Sequence, residues 1–135
     1  MANGDTDEYY QKTLRDYSVS LMNNTKWRKL FLSLARADVK IERATWRFID
    51  SNCEYVQRLP REDELAENRF QDGRFQPYEY KWILSIEIPS QFRPIPGVGY
   101  AKKQPVDRLV EVLKAVGQFP VEQTSGGVVI VAYKR

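Results

Sequence analysis

Residues 79–88, EYKWILSIEI, constrain the fold of this chain more than any other stretch. Tyr80, Trp82, Leu84, Ile86 and Ile88 fall on one side of a period-two alternation. Glu79, Lys81, Ser85 and Glu87 fall on the other, and Ile83 is the only interruption. That pattern suits a strand with one face buried and one face wet. Such a strand needs pairing partners and a cover for its apolar side, so the chain is committed to a sheet packed under something else.

Helical periodicity supplies the cover. Trp27, Leu30, Phe31 and Leu34 recur at i, i+3, i+4 and i+7, which defines one buried helix face. Asn24 or Thr25 is the expected cap. Lys26, Lys29, Ser33 and Arg36 form the opposite face, with Arg28 alongside. Tyr10, Leu14, Tyr17 and Leu21 carry a similar stripe, so a first helix is expected from about Asp7, with Asp7 and Glu8 in its first turn. The very short connection at Asn23–Asn24 predicts a helical hairpin. A third helix is expected from Gln104–Pro105, with Val106, Leu109, Val110, Leu113 and Val116 inward and Gly117 as its stop.

The partner strands are less uniform. Residues 39–49 carry Val39 and Ile41 on one parity, then Ala44, Trp46 and Phe48 on the other. The switch predicts a strand with a bulge near Glu42–Arg43. A helical period through Ile41, Ala44, Thr45 and Phe48 competes, but β-branched and aromatic content favours the strand. Cys53–Leu59 reads as a further strand closed by Pro60. Residues 60–78 read as a connection containing the Asp72–Gly73 turn, with a short helix around Glu62–Asn68. Phe119–Val121 and Val128–Tyr133 form a hairpin around TSGG, whose glycines are expected to take unusual φ values. The apolar run VVIVAY belongs in the middle of the sheet. The expected class is α+β, with an antiparallel or mixed sheet of about five strands packed against two or three helices, in the order ααβββαββ. The 135 residues fit one domain, with residues 1–6 as a loose terminus.

Composition narrows function mainly by exclusion. The chain has no histidine, which removes Ser/His/Asp and Cys/His catalysis and histidine-based zinc sites. Its single cysteine, Cys53, excludes an internal disulfide and reads as a small buried residue. No apolar run approaches membrane-spanning length, and the start MANGDTDEYY lacks a leader pattern, so a cytoplasmic protein is expected. The 21 basic residues exceed the 18 acidic ones by only three, a smaller imbalance than a dedicated DNA-binding domain carries. GVGY (97–100) lacks the spacing of a phosphate-binding loop. No cofactor motif is present. A helix over 62–68 would place Asp63 and Glu67 on one face, as a hard-metal or acid–base pair requires, yet charge runs of this kind are usually solvated.

Two surfaces remain as partner-binding candidates. The first is the basic face made by Lys26, Lys29 and Arg36. Lysines in a first helical turn oppose the helix dipole, a mild hint of function. Trp27 belongs by spacing to the buried face, so it is not a stacking platform beside the lysines. The second is the long connection 89–104, PSQFRPIPGVGYAKKQ, with three prolines and two glycines. It carries Phe92, Arg93, Tyr100, Lys102 and Lys103, residue types that suit protein hot spots or single-stranded nucleic acid.

Asn23, Thr25, Lys26, Trp27, Leu30 and Phe31, then Trp82 and Ile83, then Tyr133 and Arg135, resemble the motifs of a family of small uncharacterised bacterial proteins. That family opens with Asn-x-Thr-Lys-Trp-x-x-Leu-Phe, and the resemblance covers most of residues 23–135. By analogy with small bacterial proteins of this kind, it implies an immunity-type protein that blocks a toxin by binding it. The expectation is therefore a non-enzymatic binder of another protein, with nucleic acid as the alternative partner.

Overall fold

The computed structural model describes residues 10–17, 19–67, 69–70, 78–95, 97 and 99–134. Residues 1–6, the expected first-turn acids Asp7 and Glu8, the Asp72–Gly73 turn and Arg135 lie outside the described residues. Helical backbone runs through residues 10–13 and tightens to a 3-10 turn over Leu14–Asp16. The first helix therefore stops short of Leu21. Tyr17 is extended, and Val19–Ser20 (β1) pairs antiparallel with Tyr133–Lys134. The Leu21 N–H donates to the Ala132 carbonyl at 2.7 Å. Apolar residues at helical spacing lose here to a strand partner from the far end of the chain, so no helical hairpin forms.

The second expected helix is Asn24–Arg36 (α1). Its cap is Asn23, one residue earlier than read from sequence: the Asn23 carboxamide oxygen accepts the Lys26 N–H at 2.8 Å. Trp27, Leu30, Phe31 and Leu34 are all buried, as the spacing requires. Each contributes roughly 1.5–3 kcal/mol through burial. Ala37 caps the C-terminus and Asp38 turns the chain with φ 56°.

The main sheet is antiparallel throughout. Its strands are Ala44–Phe48 (β2), Glu54–Gln57 (β3), Ile83–Pro89 (β6), Val121–Thr124 (β9) and Gly127–Val131 (β10), in the order β3-β2-β6-β10-β9. Short pairs surround it: Arg69–Phe70 (β4) with Tyr78–Glu79 (β5), Gln91–Phe92 (β7) with Lys102–Lys103 (β8), and β1 with Tyr133–Lys134 (β11). The chain order is thus richer in short strands than ααβββαββ, while the α+β class and the five-stranded sheet stand. The apolar run at the C-terminus has a neighbour on both sides, but β6 rather than β10 holds the middle of the sheet.

The alternation in 79–88 is broken by local structure. Tyr80–Trp82 form a 3-10 turn, which rotates Ile83 into the core at 0% exposure. The register against β2 slips at Arg47/Phe48, so Ile83, Ile86 and Ile88 are buried while Leu84 is not. Opposite Ile86, Trp46 stacks on Phe70 (4.9 Å) and on Phe31 of α1 (5.9 Å), and Phe70 stacks on Tyr80 (6.0 Å). The Tyr80 hydroxyl donates to the Ala66 carbonyl at 2.9 Å, which satisfies the polar tip of a buried ring. Val106–Val116 (α2) lies beside α1 and buries Leu109 and Leu113. Pro105 stands at its cap, and Gly117 ends it with an extended φ of 173°.

Thr124 and Gly127 close the β9–β10 hairpin. Neither Gly126 nor Gly127 uses a left-handed φ, contrary to expectation. Gly127 is required for space instead: a Cβ there would meet the Ile88 carbonyl oxygen at 2.1 Å. Cys53 is exposed rather than buried.

Candidate functional site

The connection 89–104 is irregular across most of its described length, as its prolines and glycines imply, but not at its ends. Its ends zip into a two-stranded ribbon, with Gln91 opposite Lys103 and Phe92 opposite Lys102. Gly97 (φ 74°) and Gly99 (φ 79°) take the left-handed conformations that only glycine adopts cheaply. Ile95 is 61% exposed and Tyr100 87% exposed, the highest values among the exposed large apolar side chains of the described residues.

Three contacts tie the ribbon's base to the segment that leads into β2. Lys102 Nζ binds both carboxylate oxygens of Glu42, at 2.7 and 2.8 Å. The Arg43 guanidinium lies 4.8 Å over the Phe92 ring, and its Nη1 donates to the Arg93 carbonyl at 3.4 Å. The third contact is Gln104, the buried polar residue of the core at 8% exposure. Its Oε1 accepts the N–H groups of Glu42 (2.9 Å) and Arg43 (3.0 Å). Its Nε2 donates to the carbonyls of Arg43 (2.9 Å) and Pro89 (2.8 Å). The parity switch at Glu42–Arg43 is thus held by a distant side-chain amide rather than by a bulge there in the strand ladder. Two consecutive N–H groups turn toward one oxygen, residues 39–43 are not strand, and the strand expected over 39–49 begins only at Ala44.

The sequence-derived candidates separate under this geometry. Arg93, Tyr100 and Lys103 are exposed on the ribbon, whereas Phe92 is half-buried under Arg43 and Lys102 is engaged by Glu42. On α1, Lys26 is exposed and reaches the Leu21 carbonyl at 3.5 Å. Lys29 turns toward the carbonyl end of α2, its Nζ 3.9 Å from where a Cβ on Gly117 would stand. A helix C-terminus favours a cation, which offsets the dipole cost of a lysine early in α1. Arg36 pairs with Glu62 at 3.4 Å in an exposed contact. Glu42 and Arg43 were read from the sequence only as a bulge and Gln104 only as a helix start, none of them as a site residue. A glutamine next to a proline at a helix start carries no signal that its buried amide will meet backbone groups 61 and 62 residues earlier in the chain.

A cleft of about 880 Å³ lies on the far side of Glu42, floored by Phe31, Leu34, Val39, Ile41 and Leu59. Arg58 and Arg61 stand on one wall, and both converge on Glu64. Arg58 donates to both its oxygens (2.7 and 2.8 Å), and the Arg61 N–H donates to Oε1 at 2.7 Å. Burial pushes the Glu64 pKa up, but these hydrogen bonds and the two guanidinium charges outweigh it and hold the carboxyl below its ordinary value. The acidic helix expected over 62–68 is only a 3-10 turn, Glu62–Glu64, so Asp63 and Glu67 do not share a helix face. Among the described residues no group of three or more acids or cysteines could hold a metal ion, and no helix is long and apolar enough to cross a membrane. No family model, no curated protein and no solved structure matches the chain.

Proposed function

We propose that this chain is a non-enzymatic protein-binding protein that uses the 91–103 ribbon as its contact element, most concretely a bacterial immunity-type inhibitor that occludes a cognate toxin. The observation that carries this reading is an exposed aromatic–aliphatic tip, Tyr100 and Ile95, on a ribbon anchored at its base by Gln104. Exposed aromatics held on a rigid element lose little entropy on binding, and they recur at hot spots. Arg93 and Lys103 would steer the ribbon to an acidic surface on the partner.

The test is co-purification with the tagged chain, followed by an activity assay of whatever is retained. The reading requires a captured protein whose toxic activity the chain inhibits, and a loss of both capture and inhibition in Tyr100→Ala with Ile95→Ser. Recovery of nuclease-sensitive RNA or DNA alone would overturn it. Nucleic-acid binding through Lys26, Lys29, Arg36, Lys102 and Lys103 is the second reading, favoured by the absence of any acid in Asn24–Arg36. It is weakened because Lys102 and Arg36 already face carboxylates. Phosphate binding would show a steep loss of affinity with salt.

A further inference from the structure

The cleft of about 880 Å³ opens at the base of the β2–β3 hairpin. Beyond the Ala44–Gln57 pair the ladder stops. The Leu59 N–H still donates to the Ile41 carbonyl at 3.2 Å, so the two segments stay tied below the last ladder pair. Residues 38–42 and 58–63 continue from there as two walls, and the last turns of α1, with Phe31, Leu34 and Ala35, form the third. Arg36 of α1 reaches across to Glu62 at 3.4 Å, which links the third wall to the second. The walls thus hold one another in place without a ligand. The volume falls inside the roughly 300–1,000 Å³ of small-molecule sites. Phe31, Leu34, Val39, Ile41 and Leu59 give the cleft a floor with no polar side chain.

Charge decides which small molecule fits. Each charged side chain on the walls has an opposite charge beside it. Lys40 faces Asp38 at 3.8 Å and Arg61 faces Asp63 at 3.9 Å. Glu62 faces Arg36 at 3.4 Å, while Arg58 with Glu64 and Glu42 with Lys102 are both at 2.7 Å. Five cations therefore stand against five carboxylates, and no net charge draws an ion into the cleft. The two long pairs are exposed and worth little by themselves. A charged ligand that separated any pair would still leave one of its members unmatched. A charge carried down to the floor would lose its water and find no polar side chain there. An uncharged apolar molecule meets neither cost and gains by covering the floor.

We propose that this cleft is a binding site for an uncharged, largely apolar small molecule of aromatic character, seated on Leu34, Ile41 and Leu59. Ile95 and Tyr100 do not line the cleft, so it stands whether or not the ribbon binds a toxin.

The experiment titrates the full chain with phenylnaphthylamine, an uncharged dye that brightens on leaving water. Saturable binding is expected, with affinity changing less than about twofold between low and high salt. The anionic analogue, anilinonaphthalene sulfonate, should bind at least about fivefold more weakly. Ala35 lines the cleft from α1 and is half-exposed, so Ala35→Trp fills the space from a helix surface and should weaken the dye at least about tenfold. Circular dichroism checks that this variant is folded. Amide chemical shifts of the parent chain with the dye decide the matter if it is not: Val39, Ile41 and Leu59 should move, and Ile95 and Tyr100 should not. The site is refuted if the dye does not saturate, if folded Ala35→Trp binds it unchanged, or if the sulfonate binds as tightly. Shifts confined to the ribbon tip would refute it too.

Discussion

Replacing Gln104 by methionine keeps the side-chain volume and deletes all four hydrogen bonds of its amide. Two N–H groups and two carbonyls lose their partner: Glu42 N, Arg43 N, Arg43 O and Pro89 O. At about 1 kcal/mol net for each bond the loss is about 4 kcal/mol. Groups left dry raise it, and water entering beside Arg43 lowers it, so about 3–5 kcal/mol is expected. That corresponds to a fall in Tm of roughly 10–20 °C for a domain of this size. Urea denaturation gives the stability difference. Native-state hydrogen exchange gives its location, since the amides of Glu42, Arg43 and Gln104 should lose protection before those of β6 and β10. A loss below about 1 kcal/mol, with Glu42 and Arg43 still protected, would refute the view that Gln104 holds the ribbon to the sheet.

Other perturbations test the core and its titrating groups. Trp46→Ala should cost about 3–5 kcal/mol, because Trp46 is 0% exposed and stacked on both Phe31 and Phe70; a urea midpoint within error of the parent would contradict the packing. Gly127→Ala should destabilise markedly by driving a methyl into the Ile88 carbonyl, measured as a drop in Tm. The carboxyl of Glu64 titrates below its ordinary 4.5 in the folded state, so its stabilisation is complete above that value and fades as pH falls through the folded pKa. Glu64→Gln should therefore be less stable than the parent at neutral pH, with the gap narrowing in acid. Burial raises the Tyr80 phenol from 10.0 to about 12, partly offset by the Arg28 charge, so its stabilisation is full below pH 10 and is lost between pH 10 and 12. Tyr80→Phe should remove a phenolate step near pH 12 in an absorbance titration, ahead of Tyr133, whose phenol burial pushes higher still.

Periodicity alone settled the elements whose partners lie close in sequence or whose faces are uniform. Trp27, Leu30, Phe31 and Leu34 could belong only to one helix face, and all four are buried. The strand through Ala44–Phe48 and the β9–β10 hairpin were legible for the same reason, whereas the cap, expected at Asn24 or Thr25, falls one residue earlier at Asn23. The candidate site was half legible. The residue types at 89–104 marked it, but its ribbon was hidden by the prolines and glycines between Phe92 and Lys102.

What the tertiary structure decided are contests between local preference and distant partners. Residues 17–21 continue a helical stripe in sequence, yet Val19 and Ser20 form a strand because Lys134 and Tyr133 offer them backbone partners more than a hundred residues away. Leu84 fits the buried side of the alternation and is only partly buried, while Ile83 from the other side is fully buried, because the 3-10 turn at Tyr80–Trp82 and the slip at Arg47/Phe48 interrupt the alternation before it resumes at Ile86 and Ile88. Gln104 looks like an ordinary surface residue until four backbone groups from two other segments close around its amide. A hydrophobic period reports which side of an element is wet. It does not report which unpaired backbone groups will meet in space, and here those meetings set the end of the first helix, the register of the central strand and the stance of the ribbon.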